Sequence, residues 1–203
     1  MRRASAVALC VVATLWSTAA PAQRPTRPHR GGLWGEFGFG PGLVRVACAG
    51  CTNVVSSNGP TSHFRIGGTV SDHVLIGFEA FSLLDKAFQF SLDVSTSTAE
   101  TATATVVILW YPGKRGLFFK GGVGVAAGQY AIPTSATQAD TSTGAGIALT
   151  FGTGWDWSIS RKFAVTANVA AYVTAVGDIV VPGRRVDDVI ATMYQGSIGF
   201  TFR

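Results

Sequence analysis

Apolar residues alternate with small or polar residues along most of the chain, from Leu33 to Phe202. The alternation has a period of two and falls into eight stretches of about ten residues, the length of a tilted transmembrane strand. One face of the predicted strands is aliphatic or aromatic: Leu33, Phe37, Phe39, Leu43; Phe64, Ile66, Val70; Val74, Ile76, Phe78, Ala80; Ala102, Ala104, Val106, Ile108, Trp110; Leu117, Phe119, Val123, Val125; Ile147, Leu149, Phe151, Trp155, Trp157; Phe163, Val165, Val169, Val173; Tyr194, Ile198, Phe200, Phe202. The other face is mostly small or polar: Trp34, Glu36, Gly38, Gly40; His63, Arg65, Gly67, Thr69; Gly77, Glu79, Phe81; Thr101, Thr103, Thr105; Phe118, Lys120, Gly122, Gly124; Thr150, Gly152, Gly154, Asp156; Thr166, Asn168, Tyr172; Gln195, Ser197, Thr201.

The second face decides which kind of β protein the pattern predicts. A soluble sandwich or barrel would also alternate, but it would bury its apolar face and place charges outside. Here the polar faces carry few charges and much glycine, which suits a narrow lumen better than a surface in water. The pattern therefore predicts an all-β fold, a closed antiparallel up-and-down transmembrane β-barrel of eight strands whose apolar face meets lipid.

The connections between the predicted strands support the barrel. Three are tight turns, at residues 71–73, 112–115 and 160–162, and they alternate with longer segments near residues 47–62, 84–99, 131–143 and 178–190. Short periplasmic turns and longer outer loops alternate in this way in outer-membrane barrels, so we expect both termini on the periplasmic side. The aromatic residues beside the short turns predict one interfacial girdle: Trp110, Trp155, Trp157 and Phe163.

The composition also favours an apolar environment. Charged residues make up 13% of the chain, roughly half the average of soluble globular proteins, and the mean hydropathy is positive. Beyond residue 22 no run of 18 apolar residues occurs, which excludes a helical membrane protein. The full chain has a net charge of +5, of which about +3 remains beyond residue 22. This charge is mild and the basic residues lie in the N-terminal tail, turns and loops, so we predict no nucleic-acid partner.

Residues 1–22 have the form of a cleaved signal peptide. Arg2 and Arg3 precede an apolar run, and residues 20–22 offer a small-x-small cleavage site. Cys10 does not indicate a lipoprotein, because the bulky Leu9 stands where lipoprotein signals carry a small residue. We expect a mature chain that begins near Gln23, a flexible Pro- and Arg-rich periplasmic tail over residues 23–30, and a barrel domain over residues 31–203.

The last strand carries a recognisable motif. Residues 195–202 (QGSIGFTF) resemble the C-terminal insertion signal of outer-membrane proteins, in which two aromatics, here Phe200 and Phe202, are spaced by one residue. Ser197 stands where that signal prefers glycine, and Arg203 follows the usual terminal aromatic. Together with the leader and the eight strands, the chain resembles the small outer-membrane β-barrel superfamily, similar in plan to the membrane domain of outer-membrane protein A. The resemblance implies an architecture and a bacterial outer-membrane location, but no particular activity.

A cluster of charges is predicted inside the barrel. A turn centred on Asp72 places Arg65 opposite Glu79, both pointing inward, with Glu36, Lys120 and Asp156 nearby. We interpret this lumenal polar cluster as an ion-paired plug, because an eight-stranded barrel is just wide enough to be filled by side chains. The alternative is an ion pathway or gate.

Two cysteines remain after processing, Cys48 and Cys51 in the first outer loop. Their spacing is also that of a redox pair or half of a metal site, but the sequence lacks a second CxxC and a βαβ context. We expect a loop disulfide, with free thiols as the alternative. No metal or cofactor is predicted.

Nucleophilic catalysis finds little support. Ser62 and His63 could be imagined as a dyad, but neighbouring strand residues point to opposite faces, so His63 is predicted as a lumen-rim residue. We therefore expect a non-enzymatic protein with a structural or surface-interaction role. A narrow channel or a transporter of small apolar molecules is the alternative, and a lipid A-modifying enzyme is a third. The expected partners are outer-membrane lipids, lipopolysaccharide and the barrel assembly machinery, and the expected state is a monomer.

Overall fold

The computed structural model describes residues 32–47, 55–84, 99–113, 116–135, 138–181 and 184–203. These residues form eight strands: β1 (Leu33–Ala47), β2 (Val55–Ser71), β3 (Val74–Leu84), β4 (Ala99–Trp110), β5 (Leu117–Ser135), β6 (Gln138–Ser158), β7 (Phe163–Val181) and β8 (Arg184–Phe202). Each strand pairs antiparallel with its neighbours in the chain, and β1 pairs with β8, which closes the sheet. The predicted closed eight-stranded barrel is therefore confirmed. Within the described ranges, no helix is long and apolar enough to span a membrane.

The two faces of the wall are those that the alternation predicts. Outward apolar side chains are open to the surroundings; Phe78 is 67% exposed and Ile147 is 64% exposed. The alternate residues point into the lumen, where Arg65 and Thr150 are each 0% exposed. An outer surface of this kind would be unstable in water and is stable in hydrocarbon.

Hairpin geometry sets the register that aligns the inward charges. The β2–β3 turn consists of Asp72 and His73, and Ser71 pairs with Val74. An irregularity between Thr69 and Ser71 then shifts the register by one residue. Above that shift Arg65 lies opposite Glu79, as predicted from a turn centred on Asp72.

The connections differ from the prediction at one end of the barrel. We call the end at which residues 72–73, 111–113, 116 and 159–162 lie the short-turn end, and the opposite end the long-hairpin end. The predicted long loops at 131–143 and 178–190 are strand for most of their length, because β5 continues to Ser135, β6 begins at Gln138, β7 continues to Val181 and β8 begins at Arg184. In these two hairpins the extra length is therefore paired strand rather than loop.

Glycine makes room for large lumenal rings, as the sequence pattern predicts. A Cβ on Gly38 would collide with the imidazole of His63, and a Cβ on Gly154 would collide with the ring of Phe118. The inward face therefore needs glycine where a ring from a neighbouring strand crosses it.

Candidate functional site

The centre of the lumen holds five buried ionisable side chains, which we call the lumenal charge cluster: Glu36, His63, Arg65, Glu79 and Lys120. None of the five is more than 4% exposed. Four of them belong to the polar cluster that the sequence predicts, and the structure brings these four together. His63 is the addition, and the prediction of a lumen-rim position for it is wrong.

Three adjacent strands supply the first part of the cluster. Glu36 on β1 lies directly opposite Arg65 on β2, and Arg65 lies directly opposite Glu79 on β3. Arg65 Nη1 donates to both carboxylate oxygens of Glu36, at 3.1 and 3.0 Å, while its Nε donates to Glu79. His63 Nε2 lies 3.0 Å from Glu36 Oε1. One guanidinium therefore joins two carboxylates, an arrangement that its planar fork of donors favours.

Lys120 joins the cluster from β5, across the lumenal side of β4. Its Nζ donates to both oxygens of Glu79, at 2.8 and 2.7 Å, and to Tyr172 Oη on β7 at 3.2 Å. Tyr172 Oη donates in turn to Gln195 on β8 at 3.3 Å. These contacts thereby link β1, β2, β3, β5, β7 and β8.

The charges in this cluster balance. Two carboxylates face one guanidinium and one ammonium, and every one of these groups has an opposite charge within 3.0 Å. Burying an isolated charge is costly, and pairing with good geometry offsets that cost. Loss of one partner would leave a poorly solvated charge without compensation.

Apolar layers pack inside the lumen on both sides of the charges. Toward the short-turn end lie Trp34, Leu75, Val107, Leu109, Tyr111 and Phe118. Toward the long-hairpin end lie Val44, Phe81, Leu83, Ala170, Tyr172, Ala191 and Met193. The rings of Phe81 and Tyr172 stack at 3.9 Å. The lumen is thus more apolar than a face of glycine, threonine and occasional charge would predict.

Asp156 points into the same lumen, but its hydrogen bonds belong to a second network. It accepts hydrogen bonds from Tyr111 Oη and Thr166 Oγ1, each at 2.9 Å, and it pairs with Arg203. The backbone N–H of Arg203 also donates to Lys162 O at 2.9 Å. Arg203, which follows the usual terminal aromatic, therefore connects the end of β8 to β6 and to the β6–β7 turn.

The predicted aromatic residues lie on the outside of the short-turn end. Trp110, Trp155, Trp157 and Phe163 are 36–59% exposed, and Trp110 stacks on Phe119 at 5.8 Å. Phe200 and Phe202 also point outward, at 59% and 41% exposed. Their roles as an interfacial girdle and as an insertion signal remain predictions.

A shallow apolar depression of about 550 Å³ lies in the outer wall between β1 and β6. Small outward residues form its floor: Ser62, Ala80, Ser82, Ala102, Ala104, Ala127 and Ala145. It opens on the side of the wall opposite the lumenal charge cluster. Ser62 therefore points away from the lumen while His63 points into it, as predicted from strand geometry.

Some predicted features lie outside the described residues, namely the leader, the tail, Cys48 and Cys51. The disulfide stays a prediction. Within the described ranges, no group of three or more His, Cys, Asp and Glu side chains is placed to hold a metal ion.

Comparison with known proteins places this geometry in a structural class. No protein-family model and no curated protein sequence matches the chain. Among solved structures it is similar to Ail, the attachment invasion locus protein of Yersinia pestis, with 14% identity over 85% of this chain and 99% of Ail, and a TM-score of 0.58. A second Ail structure, in complex with the heparin analogue sucrose octasulfate, matches at 13% identity over 84% of this chain and 99% of Ail, with a TM-score of 0.56. Neisserial surface protein A matches at 8% identity over 84% of this chain and 96% of that protein, with a TM-score of 0.53. The chain therefore has the fold of the small outer-membrane barrels.

Proposed function

We propose that this chain is a non-enzymatic outer-membrane barrel with a closed lumen, whose long-hairpin end serves a structural or surface-interaction role. The observation that carries the proposal is the lumenal charge cluster, packed between two apolar layers. The role is that of a scaffold, in which the barrel anchors and orients the hairpins above it.

The physical argument for closure is the cost of opening the centre. A permeating ion would have to pass between Arg65 and its two carboxylates, which are 0–2% exposed. Separating such pairs leaves buried charges uncompensated, which costs several kcal/mol. An eight-stranded barrel has no spare width through which an ion could avoid them.

The orientation follows from the two ends. The first described residue, Gly32, and the last, Arg203, both lie at the short-turn end. In outer-membrane barrels the short turns face the periplasm, so we assign both termini to the periplasm and the long hairpins to the cell surface. Ail, a barrel of the same fold, is by its name an attachment and invasion protein, which accords with a surface role.

Planar-bilayer recording of the purified, refolded protein tests the closed lumen. We expect no stable conductance steps from the wild-type chain. Stable steps whose size changes with Glu79→Gln would overturn closure and favour the narrow channel. Heat-modifiable migration of both proteins on gels is the control, since it shows that each is folded before recording.

Incubation with lipopolysaccharide, followed by mass analysis of lipid A, tests the non-enzymatic assignment. We expect unchanged lipid A, because His63 pairs with Glu36 in the lumen and Ser62 faces the other side of the wall. Loss of an acyl chain would contradict the proposal. Heat-unfolded protein is the matched control.

A further inference from the structure

The seam that closes the barrel, where β1 pairs with β8, is interrupted in the middle of the wall. Pairing from the short-turn end stops at Phe39 with Ile198 and resumes at Gly42 with Gln195. The register is the same on both sides of this gap, so neither strand contains an inserted residue. In the other strand pairings of the described residues, every gap coincides with a register shift. The seam therefore has a local break of its own kind.

A proline accounts for the break. Pro41 lies in the gap and has no backbone N–H to donate. On its other side β1 pairs continuously with β2 through Pro41 and Pro60, so the missing donor affects the β8 side. A proline inside a strand that is paired on both sides removes a hydrogen bond from the ladder, and no water replaces that bond in hydrocarbon. The seam therefore needs another link at this height.

Two lumenal side chains supply such a link. Gln195 Nε2 on β8 donates to Thr61 Oγ1 on β2 at 3.0 Å, and Thr61 Oγ1 donates to the carbonyl oxygen of Gly40 on β1 at 2.8 Å. Gly40 is the other β1 residue of the gap. Gln195 is 1% exposed and Thr61 is 3% exposed. These two hydrogen bonds therefore span the seam at the point where backbone pairing is missing.

The two strands stay in contact across the gap. A Cβ on Gly40 would collide with the carbonyl oxygen of Gly196, so glycine at this position lets the backbones of β1 and β8 approach each other. A Cβ on Gly42 would collide with the methyl group of Thr61, so glycine there makes room for this side chain. At the gap, side chains therefore take the place of ladder hydrogen bonds while the wall stays closed.

The same chain of hydrogen bonds continues to the lumenal charge cluster. Tyr172 Oη donates to Gln195 Oε1 at 3.3 Å, and Lys120 Nζ donates to Tyr172 Oη at 3.2 Å. Both the oxygen and the nitrogen of the Gln195 amide therefore have partners, which holds the side chain in the orientation that reaches Thr61.

We propose that Gln195 and Thr61 form a lock, the seam lock, which holds the β1–β8 seam closed at Pro41, and that Tyr172 positions it. The seam lock is a conformational device, because side chains provide the closure that the main chain cannot provide beside a proline. It does not depend on which end of the barrel faces the cell surface or on whether the lumen conducts. The seam lock and the proposed function can therefore fail separately.

The first experiment restores the missing donor. Pro41 is exposed on the outer face, so Pro41→Val adds an N–H to the seam without changing the lumen, and valine suits a strand. Hydrogen exchange of the full chain refolded in lipid nanodiscs, read by mass spectrometry for peptides that cover residues 36–44 and 193–200, measures how often the seam opens. We expect exchange in these seam peptides to be about threefold slower in Pro41→Val than in the wild type, the equivalent of one hydrogen bond.

Variants of the seam lock are then compared with and without that donor. Gln195→Leu should speed exchange in the seam peptides by at least about tenfold, the equivalent of one or two hydrogen bonds. Thr61→Val, which keeps the shape of the side chain, should do the same, and Tyr172→Phe should have a smaller effect in the same direction. In the Pro41→Val background, Gln195→Leu should change exchange by no more than about threefold, because a main-chain hydrogen bond then holds the seam.

Asn168→Leu is the matched control. Asn168 is 3% exposed, and its Nδ2 donates to Ser197 Oγ at 3.3 Å between β7 and β8, which pair continuously at this position. The substitution also removes a buried hydrogen bond from the lumen, but this bond does not cross the seam. Exchange in residues 36–44 should stay within about twofold of the wild type. Heat-modifiable migration checks that every variant is folded.

Any of three results refutes the seam lock. The first is unchanged exchange of the seam peptides in both Gln195→Leu and Thr61→Val. The second is an equal effect of Gln195→Leu with and without Pro41→Val, which would mean that Gln195 acts only through packing of the lumen. The third is an increase in residues 36–44 that is as large in Asn168→Leu. If Gln195→Leu does not fold, Thr61→Val in the two backgrounds gives the same comparison.

Discussion

The barrel wall differs in sequence from the two hairpin extensions above it, although both are built from the same antiparallel pairing. We call these extensions ribbons; they are the β5–β6 hairpin beyond the last β6–β7 pair at Ile147 and the β7–β8 hairpin beyond Ala175. In the wall, β4 alternates strictly between buried threonine or aliphatic residues and exposed apolar ones from Thr101 to Trp110. In the ribbon, β6 runs through QADTSTGAG with no such alternation. A strand shows a period of two only where its faces meet different surroundings, lipid on one side and a packed lumen on the other. Above the wall that difference ends, although the hydrogen-bonded pairing continues.

The largest test of this contrast removes four residues from each region. Deleting Phe200–Arg203 takes away pairs of β8 with both β1 and β7, and the contact of Arg203 with Asp156. We expect this truncation to stay unassembled in the periplasm, because an unclosed barrel would expose a sheet edge to lipid. Cell fractionation and heat-modifiable migration measure the outcome.

The matched deletion shortens the β5–β6 ribbon. Removing Ile132, Pro133, Ala139 and Asp140 takes out two complete rungs without changing the register of the wall. This variant should assemble as the wild type does. Normal migration of the C-terminal truncation, or failure of the ribbon deletion, would contradict the division between wall and ribbon.

The second test compares two arginines. Arg65→Met should lower the free energy of unfolding by about 3–5 kcal/mol, because Glu36 and Glu79 lose their shared buried partner. Arg45→Met, at an exposed position of β1, should change it by no more than about 0.5 kcal/mol. Urea unfolding of the refolded proteins in lipid vesicles, followed by tryptophan fluorescence, gives both values. Equal effects would show that the lumenal charges are not energetically coupled.

The sequence predicts the local parts of this site and not its cross-lumen contacts. The Arg65–Glu79 pair can be predicted from the β2–β3 hairpin alone, because the position of the turn and the inward positions of the two strands determine which residues face each other. That pair forms at the predicted register although the turn itself is Asp72–His73, since the irregularity after Thr69 compensates. The alternation of inward and outward positions along each strand also predicts that Lys120 and Asp156 point into the lumen, and both do.

Contacts across the barrel depend on closure and on strand stagger, which no single hairpin specifies. This explains why the hydrogen-bond partners of Asp156, which are Tyr111, Thr166 and Arg203, could not be predicted. It also explains why His63 was wrongly placed at the rim. Strand ends at the long-hairpin end were missed for a different reason, the loss of alternation above the wall. The serine and threonine residues between 134 and 143 are as compatible with a strand as with a loop.

The third test places the same charge in the two regions of β6. Leu149→Arg should destabilise the barrel by about 2–4 kcal/mol if this side chain, 41% exposed on the outer face, lies in mid-bilayer. Thr141→Arg, in the ribbon, should cost no more than about 0.5 kcal/mol, since we place that end in water. Unfolding in lipid vesicles measures both. A Leu149→Arg effect near zero would contradict the lipid-facing assignment of that side of the wall.

The smallest test compares two glycines within the wall, one on each face. Gly38→Ala should destabilise by about 1–3 kcal/mol, because the added methyl group collides with the His63 ring and this ring is held by Glu36. Gly68→Ala has open space at the same atom and should stabilise by about 0.4–1 kcal/mol, through the reduced freedom of the unfolded chain. The same unfolding assay measures both variants. Changes in the free energy of unfolding of opposite sign would show that the lumen is tightly packed, whereas the outer face has room for an added methyl group. If Gly38→Ala were neutral, His63 could move aside and the lumenal charge cluster would be looser than its contacts indicate.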